Sequence, residues 1–114
     1  MCRAVNASGT PLTVHIIHRI AAFLLLGHLI GMFVSVRRRR EPKLIRRAAG
    51  IALAAAVTQV MVAAVMIEMH FPAVLRSLHQ AVGTLVWLAI VVTAIVTAHA
   101  SRSAPAPELM GAAA

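Results

Sequence analysis

His18 and His79 are the residues of this chain best suited to chemistry. Each imidazole lies inside a long apolar run, His18 in LTVHIIHRIAAFLLLGHLI and His79 in AVLRSLHQAVGTLVWLAIVV. An ionisable side chain is costly to place in a bilayer, so its presence there points to function by default. Each histidine sits about six residues into its run, which at about 1.5 Å per residue sets both about 9 Å below one membrane surface. Two neutral imidazoles at one depth on different helices can serve as the axial ligands of a haem iron. The bland alternative for any histidine in a membrane helix is a hydrogen bond to a neighbouring helix.

The flanking residues favour the ligand reading. Arg19 adjoins His18, and Arg76 precedes His79 by three residues, on the same helix face. Both are placed to meet haem propionates near the polar boundary. Gln80 follows His79 and is expected to hydrogen-bond within the bundle, while His15 lies nearer the interface, within reach of a propionate or water. His28 and His99 lie at other depths, and interhelical hydrogen bonds are the expectation for both. His70 is expected in a solvated turn. Zinc fits less well, because Glu68 is the only carboxylate or thiol near that depth and reads as interfacial.

Three apolar spans must position these groups, over about residues 12–36, 48–69 and 73–99. Each reaches the length of about 20 residues that crosses a bilayer. The 114-residue chain is 61% hydrophobic and 12% charged, a balance that indicates an all-α integral membrane protein. Thr10-Pro11 suits the start of the first span, and Phe71-Pro72 separates the second from the third. The second span is rich in alanine (Ala52, Ala54, Ala55, Ala56, Ala63, Ala64), which permits close helix approach in lipid. Gly27 and Gly31 form a G-x-x-x-G that reads as packing.

The net charge of +8 is concentrated, with Arg37, Arg38, Arg39, Arg40, Lys43, Arg46 and Arg47 between the first two spans. This segment reads as a cytoplasmic loop attracting anionic membrane lipid, not as a nucleic-acid site. The segment 1–11 and the His70–Pro72 turn then lie outside, and the tail 100–114, rich in alanine and proline, is expected to be cytoplasmic and disordered. An odd span count with an external N-terminus is natural where a further helix precedes Met1 in a longer gene product or ancestor. No cleavable signal pattern is present, and Cys2, the one cysteine, has no intrachain partner.

These features together resemble a known family. His18-Arg19 early in a membrane helix, the basic internal loop, Thr58-Gln59 in a small-residue helix, the external proline turn and Leu78-His79-Gln80-Ala81 follow the order of haem A synthase, the CtaA family. The resemblance covers about residues 11–99. It implies eight helices in two similar four-helix halves, each half with a histidine pair able to bind haem. In the family's first half an acidic residue tied to hydroxylation of the haem methyl stands three positions before the His-Arg pair. Here that position is His15, so the chain is most similar to the last three helices of the second half.

By that resemblance the fold is a three-helix part of a four-helix haem-binding bundle, and His18 and His79 are ligands of haem b. The implied function is the haem-binding part of a membrane oxidoreductase that converts haem O to haem A during cytochrome oxidase assembly. The methyl oxidation itself would belong to the other half, so no catalytic residue is assigned to this chain. The expected partners are further helices, a second half-bundle or a second copy of the chain. The family often carries a cysteine pair in its external loops, a pattern that Cys2 alone does not meet. The alternatives are a non-enzymatic haem b subunit and a cofactor-free helical scaffold.

Overall fold

A computed structural model describes residues 9–103. It consists of α1 (Gly9–Arg38), α2 (Lys43–Glu68) and α3 (Ala73–Ser103), with no strand among the described residues. All three are long and apolar enough to cross a membrane. No more than 11% of the most apolar stretch of any helix is buried inside the chain. Lipid or further protein must therefore cover residues such as Phe23, Leu24, Val74 and Trp87, which are all exposed.

The helices run past the apolar spans, because hydropathy marks the hydrocarbon-crossing part and not the hydrogen-bonded length. α1 starts at Gly9, so Pro11 falls in its first turn, where a missing N–H leaves no bond unmade. α2 starts at Lys43 and α3 continues to Ser103. The basic segment is thus mostly helical, in keeping with the good helix propensity of Arg and Lys. Residues 100–103, expected in a disordered tail, are helical instead. The segment 1–8, including Cys2, and the rest of the tail lie outside the described residues.

Two turns of one design join the helices. Arg40 adopts φ 52°, and the Arg40 and Glu41 amides donate to the carbonyls of Arg37 and Val36. His70 adopts φ 59°, and the His70 and Phe71 amides donate to Ile67 and Met66. Each is a Schellman closure in hydrogen bonding, with Arg40 alone left-handed in the first turn and both His70 and Phe71 (φ 61°) left-handed in the second. A proline follows each, and its carbonyl accepts the first bond of the next helix, Arg46 to Pro42 and Arg76 to Pro72, both at 3.1 Å.

α2 is the shared partner. It packs against both α1 and α3, whereas no Cα of α1 lies within 8 Å of a Cα of α3. Its buried residues Ile45, Ala49, Ala52 and Ala56 recur at alternating steps of four and three, a coiled-coil seam made of small side chains. Leu29 from α1 and Val86 from α3 close on Ala52 and Ala56 to form the core. With methyl groups at the seam the helices approach closely, and packing supplies the stability that hydrophobicity cannot supply in lipid. Buried Thr93 satisfies its hydroxyl by donating to the Ala89 carbonyl at 2.7 Å. Gly27 and Gly31 do not serve packing within the chain: a Cβ at either would meet nothing within 4 Å.

Candidate functional site

The α1 and α3 backbones stay apart, yet the side chains of His18 and His79 meet between them. The rings of His18 and His79 approach edge to face, with centroids 6.3 Å apart and planes inclined at 71°. His18 is exposed on the outer side of this pair, and His79 is half-buried against α2. The structure therefore brings together the two residues that the sequence matched by depth.

A third residue, Gln59 of α2, completes the cluster. Its Nε2 donates to the His79 carbonyl at 2.9 Å and lies 3.3 Å from His79 Nε2. Gly83, one turn beyond His79, makes room for this carboxamide: a Cβ there would stand 3.1 Å from Gln59 Nε2. The bond to a main-chain carbonyl fixes the amide orientation, with nitrogen toward α3. His79 Nε2 then carries its lone pair toward the amide. Two polar atoms in this cluster, Gln59 Oε1 and His79 Nδ1, are buried with no hydrogen-bond partner. Leaving such groups unmet in an apolar bundle costs about 1–3 kcal/mol each, so the cluster is incomplete as it stands.

Gln59 is the functional residue that site assignment from sequence passes over. Thr58-Gln59 identifies α2, but the carboxamide expected to bond within the bundle was Gln80, adjacent to His79. Gln80 is exposed instead, and only its carbonyl is engaged, accepting from the Thr84 hydroxyl at 3.0 Å. The available signal was a lone carboxamide in the middle of an alanine-rich span, as far before the Pro72 turn as Gly83 lies after it.

The remaining polar residues stay outside the cluster. Arg19 and Arg76 are exposed on α1 and α3, within one turn of the respective histidines in sequence. His15, one turn before His18, is exposed as well, and Glu68 and His70 are exposed at the α2–α3 turn. His28 and His99 are exposed, and neither side chain makes an interhelical hydrogen bond among the described residues. They point away from the α2 seam, which is reached instead by Leu29, the residue after His28.

The donor set is a pair. Among the described residues no three His, Cys, Asp or Glu side chains gather into a metal-holding group. A zinc site would need three or four such protein ligands. Two imidazoles can together hold a haem iron, since the porphyrin supplies the other four nitrogens. The close approach of the two imidazoles and the orphaned polar atoms beside them fit that group.

Comparison with known proteins places the chain in a family. Neither the curated proteins nor the solved structures contain a match to this chain. The family model for cytochrome oxidase assembly protein, COX15-CtaA, matches residues 3–91. The match takes in α1, α2 and most of α3, with His18, Gln59, His79 and Gly83. This chain is a multi-pass membrane protein and belongs to the COX15-CtaA family of cytochrome oxidase assembly proteins.

Proposed function

We propose that His18 and His79 hold haem b as a bis-histidine pair in the haem-binding part of a haem A synthase-like oxidoreductase. The observation that carries this reading is the meeting of two imidazoles from helices whose backbones have no Cα pair within 8 Å. Haem bound there would supply one-electron transfer. His18 and His79 each give a nitrogen lone pair. Gln59 holds His79 to α2 through the His79 carbonyl, so the ring keeps its place as the ligand is bound. The 3.3 Å approach of Gln59 to His79 Nε2 is a weak contact that gives way to a stronger acceptor of that lone pair.

Arg19 and Arg76 stand at the polar boundary, where they offset propionate charge and fix which edge of the porphyrin faces water. Apolar residues around the pair would exclude water from a bound haem, which tunes its potential. The open side between α1 and α3 takes a partner helix, a second half-bundle or a second copy of the chain. In the positive-inside reading the α1–α2 turn is cytoplasmic and the haem lies near the outer surface of a bacterial-type cytoplasmic membrane.

The conversion of haem O to haem A belongs to the whole assembly, and this chain contributes an electron-transfer or structural haem. A haem b subunit with no part in that conversion is the second reading, favoured by a donor set of two imidazoles with no catalytic residue assigned beside it. The test is titration of the purified full chain with haem b. The proposal expects one haem per histidine pair with a low-spin spectrum. A high-spin or non-stoichiometric spectrum contradicts it. Haem A formed from haem O when reductant and a partner half are added rules out the second reading.

A further inference from the structure

At the opposite end of the bundle, away from the histidines, the ends of α1 and α2 enclose an open cavity of about 380 Å³. Its lining is Phe33 and Arg37 from α1 and Lys43, Arg46 and Arg47 from α2. Four cations face one space, and neither acidic residue of the described chain, Glu41 or Glu68, lines it. Phe33 packs beside Gly50, where a Cβ would stand 3.5 Å from its ring, and the Arg37 guanidinium lies 5.5 Å from the centre of the same ring. That stacking holds one cation at the cavity wall.

The charges are costly where they stand. Lys43, Arg46 and Arg47 occupy the first turn and a half of α2, which has no acidic residue in its first turn and no side-chain cap. Cations at a helix N-terminus are opposed by the helix dipole as well as by one another. An anion in the cavity relieves both. The position selects its kind: the cavity lies where the apolar helices reach the polar boundary, with an aromatic ring on the membrane side and guanidinium groups on the water side.

We propose that this cavity is a binding site for the phosphodiester headgroup of an anionic phospholipid. The phosphate is held by Arg37, Lys43, Arg46 and Arg47, and the glycerol end of the lipid lies against Phe33. Such a lipid ties the ends of α1 and α2 together at the turn that sets their register. A basic pocket between membrane helices has the chemistry for this class of ligand. It is independent of the haem reading, because it uses none of the same residues.

The test is native mass spectrometry of the detergent-solubilised full chain with phosphatidylglycerol, with phosphatidylcholine of the same acyl chains, and with inorganic phosphate. Phosphatidylglycerol is expected to bind in preference, and Arg46→Gln/Arg47→Gln to weaken it by about thirtyfold. Arg38→Gln/Arg39→Gln removes equal charge from outside the cavity and is expected to weaken binding about threefold or less. Arg37→Gln, which leaves α2 untouched, should also weaken binding and covers the case in which the double variant fails to fold. Equal losses in the two double variants would show a diffuse electrostatic field and overturn the site. Displacement of phosphatidylglycerol by inorganic phosphate at matched concentration would overturn the lipid as its occupant.

Discussion

The imidazoles of His18 and His79 stand 6.3 Å apart, centre to centre, although α1 and α3 share no Cα pair within 8 Å. The separation is set by α2, whose alanine seam holds both neighbours at fixed distance, and by Gln59, which binds the His79 main chain. The histidine pair is thus a property of three helices, and perturbing α2 should be felt at His79 without touching either ring.

Gly83→Ala puts a methyl group 3.1 Å from Gln59 Nε2, an amide already tied to the His79 carbonyl. Forcing it aside should cost about 1–3 kcal/mol, the usual range for overpacking. Thermal unfolding in detergent checks this, and an unchanged midpoint would show that Gln59 has slack.

The same contact predicts non-additivity. Gln59→Ala alone should lose about 0.6–1.7 kcal/mol, the span found for interhelical hydrogen bonds in membranes. In that background Gly83→Ala should cost almost nothing, because the obstructing amide is gone. A double-mutant cycle measures the coupling, and additive losses would argue against the packing described.

Ala52 and Ala54 offer a paired comparison on one helix. Ala52 is fully buried at the seam, and Ala54 is exposed. Ala52→Leu should destabilise the bundle by about 1–3 kcal/mol or more, and Ala54→Leu should stay within about 0.5 kcal/mol. Equal effects would mean that α2 faces its neighbours with a different side.

His70 holds φ 59° in the α2–α3 turn, a conformation that costs a side chain about 1–2 kcal/mol and glycine almost nothing. His70→Gly should therefore leave stability unchanged or raise it by up to about 1 kcal/mol, the flexibility glycine adds to the unfolded chain offsetting part of the gain. Loss of stability on this substitution would mean that the imidazole has a partner beyond the described residues.

Much of the architecture is legible in residue order alone. Apolar run lengths locate three helices, and matched depth pairs His18 with His79, because a helix converts sequence distance to depth at a fixed rise. Run lengths do not find helix ends: Lys43 to Arg47 and Ala100 to Ser103 continue their helices through backbone bonds that hydropathy does not see. Rotation about each helix axis is equally hidden. It decides that Gln59 and not Gln80 turns inward, that Gly83 and not Gly27 meets a neighbour, and that His28 faces outward while Leu29 packs. Only the seam of α2 fixes those rotations, and its alanines are too uniform to reveal which face they serve.

The most direct test of the account is the optical and electron paramagnetic resonance spectrum of the full chain loaded with haem b, compared with His18→Ala, His79→Ala and the double variant. The account predicts a six-coordinate low-spin haem in the native protein, high-spin or weakly held haem in each single variant, and no specific haem in the double variant, with helicity unchanged throughout. A low-spin spectrum that survives loss of both imidazoles would place the haem elsewhere and remove the basis for the function proposed.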